Sequence, residues 1–219
     1  ELIAGALPVG RNNPKHVPFN LYTEQLSGTA FTCPRSLKKR TWLYRIQPSV
    51  THLRNLKYYR PFLGGCDPTK CESSVDPVRW KPHNNNNNND KNSKTGDFAD
   101  LLTLMCSADG EPKNRLRIYQ YHGDITISDR HLVNADGDFL IVPYQGLHIV
   151  HTELGKLTLG PQEICVIPRG IVFSILSTET IAGYVLEVDS PIGFQLPELG
   201  PIGSNGLANP RDFWYPVAW

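Results

Sequence analysis

Methionine is nearly missing from this sequence. The single one is Met105, and the chain runs from Glu1 to Val217-Ala218-Trp219 without a polar tail. Both ends therefore read as cuts in a longer polypeptide. Cysteine is sparse and odd in number. Cys33, Cys66, Cys71, Cys106 and Cys165 are irregularly spaced, a poor disulfide framework. With no Asn-x-Ser/Thr sequon, a cytoplasmic location is expected. The opening residues, Glu1 to Pro8, are too short for a signal peptide, and no apolar run could cross a bilayer. Neither charge sign is in excess, with 22 Lys and Arg against 21 Asp and Glu. Bulk electrostatics therefore do not favour a nucleic acid or another polyanion. Lys38-Lys39-Arg40 reads as a solvated cluster.

The 219 residues are 40% hydrophobic and 20% charged, enough for one large β domain or two small ones. Residues 1–63 read as irregular segments with one good strand, Thr41–Ile46, in which Trp42, Tyr44 and Ile46 alternate. Asn84–Asn89 is a homopolymer that cannot offset its own ordering entropy, so 84–96 is expected to be a disordered insertion. Phe98, Leu101, Leu102 and Met105 fall at helical spacing behind Asp97 as N-cap, which predicts a helix over 97–107. From Arg115 the pattern is strand after strand. His122-Gly123-Asp124 reads as a turn, and Asp136-Gly137 as a hairpin, preferred over a calcium loop because no closing glutamate follows. A second hairpin is expected around Leu154-Gly155, then strands on either side of Pro168-Arg169-Gly170, then a strand over Ile181–Val188. Residues 191–212 are Gly/Pro/Asn-rich and lack a P-loop lysine.

No self-contained active site is legible. Cys66 and Cys71 with His83 lack the second ligand pair a zinc knot needs. His148 and His151 are three apart, so a strand sends them to opposite faces. Glu153 falls at the following turn. Glu187 and Asp189 share a strand face without a visible partner. The familiar nucleophile, zinc-protease and redox-dithiol motifs are missing.

The stretch from Gly160 to Phe173 resembles the second sequence motif of the cupins, whose Pro-x-Gly turn precedes a metal-binding His. Here the turn is Pro168-Arg169-Gly170 and Phe173 stands where that His would be. The expected fold is thus mainly β: a cupin-like jelly-roll barrel or sandwich with irregular N-terminal segments and one short helix. More specific segments are Leu26–Ser36, Lys39–Ile46, Asp136–Pro143, Glu163–Phe173 and above all Gly200–Phe213 (GPIGSNGLANPRDF). Together they resemble the homogentisate 1,2-dioxygenases from end to end, the Asn-rich insertion excepted.

That resemblance implies an enzyme of tyrosine and phenylalanine breakdown. It opens the ring of homogentisate with O2 to give maleylacetoacetate, in a homo-hexamer. It implies Fe(II) held by two His and one Glu, with a further His as base, all in a second, C-terminal cupin domain. On this reading residues 1–219 are one N-terminal, metal-free domain with no catalytic residue of its own, and 197–219 lead toward the catalytic domain. Its expected role is scaffolding and oligomer contacts, with the loop from Gly200 as a candidate contact surface. An alternative is a stand-alone cupin-like module holding a small apolar ligand against Phe173 and Ile175. A zinc enzyme built on His148, His151 and Glu153 is a third reading.

Overall fold

A computed structural model describes residues 21–27, 30, 32–34, 40–48, 51, 94–109, 115–195, 199–200, 203–207 and 212–217. The zinc candidates Cys66, Cys71 and His83, with Lys38, Lys39 and the polyasparagine run, lie outside them. The chain divides into two compact units, Glu1–Tyr59 with Val217–Trp219, and Arg60–Pro216.

In the first unit, β1 (Tyr22–Ser27) pairs antiparallel with β2 (Arg40–Arg45), Tyr22 opposite Arg45 and Ser27 opposite Arg40. The expected strand at 41–46 is thus present one residue earlier. Arg45 Nε lies 3.1 Å from Glu24 Oε2.

The second unit carries two main sheets. Its strands are β3 (Lys94–Gly96), β4 (Leu102–Asp109), β5 (Arg115–Ile125), β6 (Leu132–Val133), β7 (Asp138–Gln145), β8 (His148–Thr152), β9 (Gly155–Leu159), β10 (Cys165–Ile167), β11 (Val172–Leu176) and β12 (Ile181–Asp189). One sheet has six strands in the order β10-β7-β12-β5, with β4 and β3 sharing the far edge of β5. The other has four, in the order β6-β11-β8-β9. A short hairpin, β13 (Leu199–Gly200) with β14 (Gly203–Leu207), lies inside the stretch expected to be loop.

Period-two alternation explains how the two sheets meet. Phe139 and Ile141 on β7, Tyr119 and Tyr121 on β5 and Val185 on β12 are buried from one side. Val150 on β8, with Phe173 and Ile175 on β11, is buried from the other. Phe173 meets Phe139 and Phe98 edge-on, each at a centroid distance of 6.3 Å, a favoured aromatic geometry. Gly183 leaves room on β12 for the Tyr121 side chain of its neighbour, because the Tyr121 ring and the Val142 carbonyl occupy the space a Cβ would need. Among the described residues the two sheets remain separate, so the fold is a sandwich and not a closed barrel.

Four local expectations need correction. The helix is one turn, α1 (Phe98–Leu101), and Leu102–Asp109 is strand. Asp97 and Asp100 form a full capping box, but a one-turn helix carries the full nucleation cost with little propagation to offset it. Leu102 and Leu104 instead pair with Tyr121 and Tyr119. At 122–124 there is no turn. Gly123, at φ 150°, keeps β5 running while the Lys94 carbonyl sits against it, where a side chain would clash. Asp136-Gly137 is not a hairpin either, because β6 pairs with β11 while β7 pairs with β10 and β12. It is a crossover between sheets, closed by Asn134 Oδ1, which accepts from the backbone N–H of Asp136 at 3.0 Å and of Gly137 at 3.1 Å. Finally, the segment expected to be disordered to residue 96 ends in β3, parallel to β5. Lys94 Nζ is held there by the Leu102 carbonyl at 3.2 Å and Thr103 Oγ1 at 2.6 Å.

Candidate functional site

The cupin-like positions lie on β8 and β11. His148, Val150 and Thr152 are buried, while His151 between them is half-buried on the opposite face. His148 is fully enclosed. Its Nδ1 lies 3.2 Å from the Gly146 carbonyl and therefore carries the hydrogen that it donates. Its Nε2, 2.9 Å from the Tyr121 hydroxyl, then accepts. This tautomer satisfies both ring nitrogens in the neutral state. Burial pushes the His148 pKa down, against a smaller opposite effect of the Gly146 carbonyl, and burial likewise pushes the Tyr121 phenol up.

The other two candidates turn elsewhere. His151 stands between Ser174 and Lys156 in register on the outer face of the four-stranded sheet. Its pKa is lowered by partial burial first, then by the positive charges of Lys156 and His131. Glu153 sits at the β8–β9 turn, where its Oε1 accepts from Val172 N at 3.2 Å and its own N–H donates to the Val172 carbonyl at 3.1 Å. His148, His151 and Glu153 therefore do not converge. Phe173, at the position of the cupin His, is 1% exposed among other aromatic rings. Ile175, the other residue of the apolar-ligand alternative, is in the same packed core. Among the described residues no three His, Cys, Asp or Glu side chains stand together as a metal-holding group. These residues do not fit a ferrous ion, whose donors must converge and leave coordination positions open.

Two polar assemblies were not legible beforehand. Glu187 is buried, and its alternation with Val185 and Ile181 carries it to the inner face of β12. Its Oε2 accepts from the Tyr119 hydroxyl at 2.7 Å; its Oε1 accepts from Arg117 Nη1 at 3.1 Å and Asn134 Nδ2 at 2.9 Å. Burial, and then Glu187 itself, push the Tyr119 phenol up. A carboxylate in the phase of core residues has to be partnered, and that was the available signal. With three donors on two oxygens, Glu187 is an internal tie and is poorly placed to act as a base.

The second assembly holds the Pro168-Arg169-Gly170 turn. Asp138 Oδ1 accepts from Arg169 N at 2.8 Å, and Asp138 Oδ2 from Phe194 N at 2.9 Å. The Arg169 guanidinium donates to the Ser190 carbonyl. Gly170, at φ 80°, donates its N–H to the Asn134 carbonyl at 2.7 Å. A positive φ suits glycine. The turn thus passes the chain from β10 in one sheet to β11 in the other, and Asn134 links it to the Glu187 tie. Cys165, just before it, is buried, and burial pushes its thiol up to about 11, the behaviour of a core thiol.

Two facing sheets, antiparallel except for β3 on β5, joined in this order make the unit a cupin-like β-sandwich. A cupin-2 domain protein from Shewanella frigidimarina aligns over 39% of this chain and 79% of its own at 15% identity, TM-score 0.29. A cupin domain from Schizosaccharomyces pombe aligns over 41% and 66%, also at 15% identity, TM-score 0.33. At such scores the fold rests on the strand arrangement itself. The chain belongs to the family described as homogentisate 1,2-dioxygenase N-terminal, whose model matches residues 1–219. It is 48% identical to the human homogentisate 1,2-dioxygenase over 98% of this chain and 47% of that protein. To the Drosophila melanogaster protein of the same name it is 45% identical, over 100% and 49%. To that of Arabidopsis thaliana it is 42% identical, over 100% and 47%. The chain spans about half the length of the curated relatives it matches.

Proposed function

We propose that this chain is the N-terminal, non-catalytic part of a homogentisate 1,2-dioxygenase. The intact enzyme cleaves the homogentisate ring in the extradiol manner with O2, yielding maleylacetoacetate in tyrosine and phenylalanine catabolism. It works in the cytoplasm as a homo-oligomer. The Fe(II) and the residues that act on substrate belong to the half of the relatives' length that this chain does not match. One observation carries the reading: a family match over the whole chain coincides with a sandwich interior closed by Phe173 where cupins place a ligand. The role left to this unit is a scaffold. Its two sheets are locked by the Glu187 and Asp138 assemblies and hold their outer surfaces in fixed relation.

Oxygen uptake tests this. The 219-residue chain with Fe(II) and homogentisate is expected to give no turnover, and a chain extended through the second half is expected to turn over. Turnover by the short chain would place the chemistry here and sink the scaffold reading.

A further inference from the structure

The crossover from β6 to β7 carries the pair Asp136-Gly137. An aspartate followed by glycine is open to attack by its own backbone, because glycine has no side chain to shield its nitrogen. Here the glycine is required. A Cβ on Gly137 would stand 2.9 Å from the Val188 carbonyl oxygen, where the crossover passes β12. Gly137 is buried, whereas Asp136 is exposed to water.

The Gly137 nitrogen is held. Its N–H donates to Asn134 Oδ1 at 3.1 Å, and the Asp136 N–H donates to the same oxygen at 3.0 Å, an Asx turn around the pair. Asn134 is fixed in its turn. Its Nδ2 donates to Glu187 Oε1 at 2.9 Å, and its carbonyl accepts the Gly170 N–H at 2.7 Å. For the Gly137 nitrogen to reach the Asp136 carboxyl, its bond to Asn134 has to break and the turn has to open.

We infer that Asp136-Gly137 is a latent isoaspartate site and that the Asn134 side chain holds it shut. When the turn opens, the Gly137 nitrogen bonds to Asp136 Cγ, and the amide hydrogen leaves with the carboxyl hydroxyl as water. The succinimide so formed takes water back at either carbonyl. Addition at Cγ restores aspartate. Addition at the backbone carbonyl carbon breaks the bond from that carbon to nitrogen, and the chain then runs through Cγ with an extra backbone carbon. Nothing is oxidised or reduced, and the mass is unchanged. The insertion falls just before Asp138, whose carboxylate receives the N–H groups of Arg169 and Phe194. The modification therefore draws Asp138 out of place and unlocks the Pro168-Arg169-Gly170 turn.

Isoaspartate formation during long incubation at neutral pH tests this in the chain extended through the second half. It is read with an isoaspartate-specific methyltransferase and located by electron-transfer fragmentation. The native chain, the same chain unfolded in urea, Asn134→Ala and Glu187→Ala are compared, each rate corrected for the unfolded fraction seen in hydrogen exchange of the β7 amides. Position 136 is expected to convert about tenfold more slowly in the native chain than in urea, the worth of one or two hydrogen bonds. Asn134→Ala should recover most of the urea rate. Glu187→Ala, which breaks the tie but keeps the Asn134 oxygen on the turn, should stay slow. Should Asn134→Ala not fold, Asn134→Asp, which keeps an accepting oxygen, is expected to stay slow as well, and fast conversion in it would overturn the inference. Equal rates in the native and urea-treated chains, no acceleration in folded Asn134→Ala, or equal acceleration in Glu187→Ala would each overturn it too.

Discussion

The two sheets of the sandwich share one core but differ on their outer sides. Across the four-stranded sheet runs a row of Ser174, His151 and Lys156, of which Ser174 is buried and the other two half-buried. Across the six-stranded sheet runs Val166, Leu140, Leu186, Ile118 and Cys106. The same alternation thus gives a polar row in one sheet and an apolar row in the other, while the adjacent rows are mixed, Leu176 and Ile149 with Thr158 in the small sheet and Val142 and Tyr184 with Gln120 in the large one. The difference teaches that alternation fixes which side chains leave the core and not whether they are polar. The inner faces differ as well. Phe173 and Val150 make the small sheet's inner side apolar, whereas the large sheet brings the carboxylate of Glu187 inside and must tie it.

The largest effect is expected where both sheets meet. Phe173→His, which restores the cupin residue type, removes aromatic packing and buries an imidazole, costing about 4 kcal/mol in urea unfolding. It should gain no stoichiometric iron, because Phe98 and Phe139 are its neighbours; tight Fe(II) in that variant would erase the contrast with a metal-bearing cupin. Next is Glu187→Ala on the large sheet, expected to cost about 2–3 kcal/mol. That is the low end for a broken buried pair, since the Arg117 side chain is 25% exposed and water can reach it. A cost near zero would show that the tie does not hold the sheets.

The pH dependence is smaller. The folded His148 pKa is below its unfolded value, so the unfolded state binds the extra proton and stability falls as pH drops below about 6.5. Above that range the contribution is complete. His148→Gln should flatten the slope, and an unchanged slope would assign it to another group. The smallest effects separate the outer faces. In the 219-residue chain Thr158→Lys should shift stability by about 0.5 kcal/mol or less, and Leu186→Lys by about 1 kcal/mol. Only Leu186→Lys should reduce self-association in light scattering. Equal behaviour of the two variants would remove the asymmetry.

Much of the fold was legible because its signals are local. The strands around Leu154-Gly155 and Pro168-Arg169-Gly170 follow from alternation and turn chemistry, and the Asp97 cap is in place. The failures share one cause. Leu102–Asp109 has helical spacing, yet the open edge of β5 takes it as strand. Asp136-Gly137 has a hairpin's residues, but its flanking strands find partners in different sheets. Glu187 looked partnerless because Arg117, Tyr119 and Asn134 lie more than fifty positions away.

By itself, then, the sequence determined the β class, the kinship, the separation of His148 from His151 and the phenylalanine at the ligand position. Those depend on residue identity and on a period of two. Only the tertiary structure decided which strands share a sheet, which carboxylate is buried, and which outer face is left apolar. Pairing between distant segments sets all three, and no local pattern encodes it.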